Sequence, residues 1–272
     1  MNLLKHFILV VSLFCLVYAQ YIGATPYNWD FPKDHGAHHN FDTEWWYFTG
    51  HLSTLDASEF GFELTFFRVT SPIQDVVKND WSIDHIYFAH LALTDTVGET
   101  FHFFERVNRN SFEMAGARSD SLNVWNGDWS VTTQDNSFVI RAHSEVLQLD
   151  LELDSNSPTI LNGENGFSIK NPTGSQFSYY YSMPRLSGKG VMVLKQSTYI
   201  IADASVWFDH EFFNTASNRE GSPQQSSLGE AYIGWDWFAL QLENGENIMI
   251  AQVRPDDETR PPYYFGTWSN AL

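Results

Sequence analysis

The stretch VLQLDLELD, residues 146–154, constrains the fold most tightly. Leu147, Leu149, Leu151 and Leu153 fall on one side of an extended chain, and Gln148, Asp150, Glu152 and Asp154 fall on the other. A helix would scatter those leucines around its circumference, whereas a strand gathers them on one face. The same period of two runs through EFGFELTFFRV (59–69), DHIYFAHLALTD (84–95), TFHFFERV (100–107) and DNSFVIRAHS (135–144). Asn126-Gly127, Asn162-Gly163 and Asn244-Gly245 supply turn signals between such runs. No segment carries a helical stripe over ten or more residues. The chain is therefore expected to be all-β and antiparallel, a barrel or a sandwich.

A chain of 272 residues that is 43% hydrophobic and 16% aromatic can fill a sizeable core. Thirty-three acidic against fifteen basic residues give a net charge of −18, which repels nucleic acid and anionic lipid. Residues 1–19 read as a signal peptide: Lys5 precedes an apolar run from Phe7 to Val17, too short to span a bilayer, and Val17-Tyr18-Ala19 offers a cleavage site. A secreted or periplasmic protein without stable membrane insertion is expected. Cys15, the only cysteine, would leave with the signal, and with it any disulfide or thiol chemistry. Polar NTASNREGSPQQSSLG (214–229) reads as a linker, which divides the mature chain into residues 20–213, a linker at 214–233, and residues 234–272.

Carboxylates lie among large rings three times. In FDTEWWYFTGHL (41–52), Glu44 shares a strand face with Trp46 and Phe48, while Trp45, Tyr47 and His51 take the other. In ASVWFDHEFF (204–213), Trp207, Asp209, Glu211 and Phe213 alternate onto one face, with His210 between. In GWDWFALQL (234–242), Asp236 shares its face with Phe238 and Leu240, flanked by Trp235 and Trp237. A carboxyl group desolvated by rings holds its proton to higher pH and can act as a general acid, and aromatic faces can steady a cation. Asp209, Glu211, Glu44 and Asp236 are thus candidate catalytic groups, with Glu44 expected to be held as a raised-pKa acid. Structural ion pairs with arginine are the competing reading of each. Tyr179, Tyr180 and Tyr181, in YYYSMPRLSGKG (179–190), join the candidate ligand wall; Gly188 and Gly190 suggest that this strand then enters a turn. The histidines of DHGAHH (34–39) lack the helical spacing of a zinc site and are assigned to loop hydrogen bonding, so no metal is expected. No G-x-S-x-G motif supports a serine nucleophile.

Six blocks together resemble the AttH and carotenoid 1,2-hydratase family: FPKDHGAHHNFDTEWWYFTGHL (31–52), FELTFFR (62–68), AHLALTD (89–95), SYYYSMPRL (178–186), VWFDHEFF (206–213) and GWDWFALQLENGENIMI (234–250). The resemblance implies a lipocalin-like β-barrel over residues 20–213 and the first strands of an incomplete second barrel over residues 234–272. It also implies a hydrophobic, unsaturated small-molecule ligand, such as an isoprenoid or polyketide. Asp209 would donate a proton to a carbon–carbon double bond with Trp207 beside it, and no cofactor would be needed. Tyr180 and Ser182 match the AttH branch rather than the hydratase branch. A non-catalytic carrier and an inactive relative are the alternatives. Carboxylates facing a cavity favour catalysis; carboxylates locked onto arginines favour the others.

Overall fold

Alternation is realised strand by strand. The computed structural model describes residues 27–72, 78–135, 137–155, 158–214, 232–255 and 259–270. The expected signal peptide and nearly all of the expected linker lie outside these residues. Four long strands come first: β1 (Thr43–Thr54), β2 (Glu59–Thr70), β3 (His85–Asp95) and β4 (Thr100–Arg109). Five shorter ones follow: β5 (Ala115–Ala117), β6 (Asn123–Asn126), β7 (Trp129–Gln134), β8 (Ser137–His143) and β9 (Leu147–Ser155). The short β10 (Ile160–Leu161) and β11 (Phe167–Ile169) precede a long hairpin, β12 (Phe177–Leu194) and β13 (Ser197–Phe213). The order across this antiparallel sheet is β4-β3-β2-β1-β13-β12-β9-β8-β7-β6-β5, with β10 and β11 both pairing with β12.

The sheet curls into a nearly closed barrel whose ends are stapled by side chains rather than by a ladder. Asn126 on β6 donates to the Tyr87 carbonyl at 3.2 Å and accepts from Asn108 at 2.6 Å. Arg106 on β4 reaches the His143 carbonyl at 2.8 Å and lies over the Trp129 ring at 4.6 Å. Inside, Leu147, Leu149, Leu151 and Leu153 are all buried, as their alternation requires. Trp46, Phe48, Leu64, Phe66 and Phe208 fill the interior between β1, β2 and β13.

The YYYSMPRLSGKG stretch does not enter a turn. β12 runs on to Leu194, with a register shift between Met183 and Leu186 that absorbs the Pro-Arg step. Gly188 and Gly190 are needed because a β-carbon at either would collide with a β9 carbonyl, at Glu152 or Asp150. The turn itself falls on Lys195 and Gln196, both at positive φ.

A second antiparallel sheet is built from β14 (Tyr232–Gln241), β15 (Glu246–Pro255) and β16 (Tyr263–Asn270). One face carries Trp237, Ala239, Met249, Ala251 and Phe265 and packs on Tyr180 and Trp207 of the barrel's outer surface. Arg185 clamps it by donating to the Leu242 and Glu246 carbonyls at 2.8 and 3.1 Å. The opposite face leaves Phe238, Leu240, Ile250, Tyr264 and Trp268 exposed. Among the described residues no helix is long and apolar enough to cross a membrane.

Candidate functional site

β1 and β13 pair over their full length, with Tyr47 opposite Asp209 and Trp46 opposite His210. Because side chains alternate, the two strands present different chemistry inside and outside the barrel.

The inner face holds a closed polar network. Glu44 Oε1 accepts from His38 Nδ1 at 2.7 Å and from His210 Nε2 at 2.9 Å; its Oε2 accepts from Arg68 Nε at 3.0 Å. Burial alone would raise the Glu44 pKa, but the two histidine hydrogen bonds and the Arg68 charge overcome it and hold the carboxyl well below the usual range. The expectation of a raised-pKa acid at Glu44 is therefore corrected: it is a locked ion pair. The ionised acid also sets the tautomers behind it. His210, pushed down to about 4 by burial, is neutral and donates through Nε2. Its Nδ1 accepts from the Tyr181 hydroxyl at 3.0 Å, and that oxygen accepts from His35 Nδ1 at 2.7 Å. His38, Glu44 and His210 place three ligand-type atoms within 4.8 Å of one another, the one such group among the described residues. Arg68 fills the second carboxylate oxygen, and a guanidinium at that distance disfavours a cation there.

The outer face is different. Asp209 is only 4% exposed, yet no lysine or arginine among the described residues forms an ion pair with it. Ser182 Oγ and Trp207 Nε1 donate to its Oδ1 at 2.6 and 2.7 Å, and the Tyr180 hydroxyl donates to Oδ2 at 2.7 Å. Burial raises its pKa to about 7 against these three donors, and the Glu211 carboxylate adds to the rise. Glu211 is paired with Lys170 at 2.8 Å and accepts from Ser178. The Lys170 ammonium lies between the Tyr180 and Phe265 rings, 4.7 and 4.1 Å from their centroids. Trp237 of the second sheet donates to the Tyr180 oxygen at 3.2 Å. Thus the second sheet keeps water from the acid.

A cleft of about 420 Å³ opens on the same outer face; Tyr47 and Trp207, which neighbour Asp209, line it, and Asp209 itself does not. Tyr47, Thr49, His51 and Glu63 line it from the barrel, with Trp207 at its edge; Trp237, Phe238, Ala239 and Gln241 line it from β14. Outward-facing Trp45, Phe67 and Phe103 extend an aromatic surface beyond it, with His90 between Phe67 and Phe103.

The sequence candidates accordingly separate. Asp209, Glu211, Tyr180, Trp207 and Trp237 come together at the acid, with Tyr47 and His51 on the cleft. Trp45 stacks on Trp235 at 6.3 Å beyond it. Trp46, Tyr181 and His210 belong to the interior network, and Tyr179 packs there on Phe212. Asp236 turns away to the far face of its sheet and pairs with Arg254. Sequence reasoning missed Glu63, Asn162 and Lys170, and named Arg68 as an ion-pair partner of such carboxylates without assigning it to Glu44. Glu63 was hidden as one of the polar positions of an alternating strand. The other three gain their roles from distant partners, which no local pattern marks.

A family model described as AttH-like matches residues 23–272. The solved structure of an AttH protein from Nitrosomonas europaea superposes with a TM-score of 0.75 at 30% identity, covering 91% of this chain and 71% of that one. Kievitone hydratase from Nectria haematococca shares the fold, with a TM-score of 0.64 at 13% identity, covering 91% of this chain and 67% of that one. No curated protein matches significantly in sequence.

Proposed function

The chain belongs to the AttH-like family, and from that premise we propose that it binds a hydrophobic, unsaturated small molecule in the cleft between barrel and second sheet. There it hydrates or isomerises a carbon–carbon double bond, with Asp209 as the acid. The carrying observation is the environment of Asp209: a buried carboxyl with a pKa of about 7, beside an aromatic-lined cleft and free of any arginine partner among the described residues. Such a group carries a transferable proton near neutrality, and the Trp207, Tyr47 and Trp237 rings suit the cation that protonation creates.

The neutral acid needs an acceptor for its own proton. Ser182 Oγ can take it if the serine proton turns to Asn162, whose amide lies 2.7 Å away. Asn162 Oδ1 is buried without a hydrogen-bond partner, and a half-turn of the amide would bring that oxygen to Ser182. A carrier role is less well supported: the interior between β1, β2 and β13 is filled by rings, and the carboxylate locked onto arginine is Glu44, not Asp209. Export by way of residues 1–19 is part of the proposal; N-terminal sequencing of the mature protein from its native host would test it.

The deciding experiment incubates the protein with isoprenoid and polyketide alkenes in ¹⁸O-labelled water. Hydration gives an alcohol carrying the label, and Asp209→Asn is expected to cut turnover by roughly 10²–10⁴-fold. Undiminished turnover in Asp209→Asn overturns the assignment.

A further inference from the structure

We propose that Glu63 is a second proton-transfer group of this cleft: its carboxylate takes the proton of the water that adds to the substrate, while Asp209 supplies the proton to carbon. The inference rests on the reading of Asp209 as the acid.

The placement follows from register. Trp207 on β13, Thr49 on β1, Glu63 on β2 and Ala92 on β3 form one row across the outer face; Asp209, Tyr47, Thr65 and His90 form the next. Asp209 and Glu63 are thus two strands and one row apart, a Cα separation of about 12 Å from sheet spacings. The Asp209 carboxyl is held toward β12 by Ser182 and Tyr180, and Tyr47, which lines the cleft with Glu63, stands between the two carboxyls in the register. Glu63 lines the cleft, flanked there by the small residues Gly61, Thr49 and Ala92.

Its partners leave it available. Among the described residues the Thr65 hydroxyl is its one hydrogen-bond donor, and no lysine or arginine pairs with it. The titratable groups nearest it across the sheet are Tyr47 and His51 from β1 and His90 from β3, with Asp209 of β13 beyond Tyr47. His90 is itself paired with Glu105 at 3.2 Å. β14 turns Trp237, Ala239 and Gln241 toward the cleft and contributes no charge. A half-buried carboxylate without a cation weakens the fold, which is the signature of a group placed for chemistry. Burial pushes its pKa up to about 7, where a base accepts a proton efficiently at neutral pH.

The step balances. The alkene π pair takes the Asp209 proton, forming a C–H bond and leaving a carbocation on the neighbouring carbon. Water oxygen forms the new C–O bond to that carbon. One water O–H bond breaks, its proton passing to Glu63. Alkene and water have become an alcohol, and one proton has moved from Asp209 to Glu63. Solvent in the open cleft takes the proton from Glu63, and Asp209 regains one from water that enters as the product leaves.

The test compares wild type, Glu63→Gln, Glu63→Ala and Asp209→Asn on the alkene panel in ¹⁸O water, with far-UV circular dichroism and melting temperature confirming folding. Glu63→Gln is expected to lose 10²–10⁴-fold in kcat with KM little changed. Formate is expected to restore part of the turnover of Glu63→Ala, which a merely structural glutamate would not permit. If wild type turns over, Asp209→Asn is inactive, and Glu63→Gln stays within threefold, Glu63 is not the base and the Asp209 reading survives. Loss in Glu63→Ala without formate rescue likewise overturns the base. If Asp209→Asn turns over like wild type, the acid is wrong and the pairing falls with it. If wild type converts no alkene, the enzymatic reading and this proposal both fail.

Discussion

At the scale of single residues, carboxylates with similar neighbours in sequence end with opposite chemistry. Glu44 and Asp209 both sit among aromatics, but Glu44 accepts from a guanidinium and two imidazoles, whereas Asp209 accepts from three neutral donors. Their pH linkages therefore have opposite signs. Glu44, depressed in the folded state, contributes stability that is present above about pH 4.5, the ordinary glutamate pKa, and is lost as pH falls toward its folded value. Glu44→Gln should cost about 3–5 kcal/mol at neutral pH by stranding buried Arg68, and should flatten the acid side of the stability curve in denaturant titrations. Asp209, raised in the folded state, contributes stability that is full below about pH 4 and drains away as pH rises to about 7. Asp209→Asn should thus melt higher than wild type at pH 8, by the equivalent of a few kcal/mol, with the advantage vanishing near pH 4.

The same acid predicts a pH–rate limb. On the proposed reading turnover needs protonated Asp209 and should fall as pH rises through about 7. Tyr180→Phe removes a donor that favours the carboxylate, so the limb should move upward by roughly one pH unit.

At the scale of elements, the β12–β13 hairpin carries Tyr180, Ser182, Trp207 and Asp209 and so sets the site. Its length was not legible. Gly188 and Gly190 read as turn residues, but the chain uses them to pass close over β9, and the bend falls on Lys195-Gln196, a pair without turn chemistry. Two non-glycine residues at positive φ are strained. Lys195→Asn with Gln196→Gly should relieve that strain and stabilise the protein by about 1 kcal/mol in chemical denaturation, with turnover unchanged.

At the scale of the molecule, the site exists only because two sheets meet. Trp237, distant in sequence, covers Tyr180 and closes water off from Asp209. Trp237→Ala should admit water, lower the Asp209 pKa toward its ordinary value, and move the pH–rate limb downward, the reverse of Tyr180→Phe. Lipophilic ligands should bind this variant more weakly by fluorescence titration.

The sequence by itself determined the strands and their faces, because a period of two is a property of neighbouring residues and fixes which side chains share a side. Leu147 to Leu153, the opposed faces of Trp45 and Trp46, and the shared face of Trp207, Asp209 and Glu211 all follow from it. Tertiary structure alone decided what each face meets. Arg68 reaches Glu44 across a strand pair, Lys170 reaches Glu211 from a loop, and Glu63 comes to the cleft only when β14 closes it. A proton affinity is set by burial and by partners far along the chain, so one carboxyl became a fixed anion inside the barrel and another a carboxyl of raised proton affinity outside it.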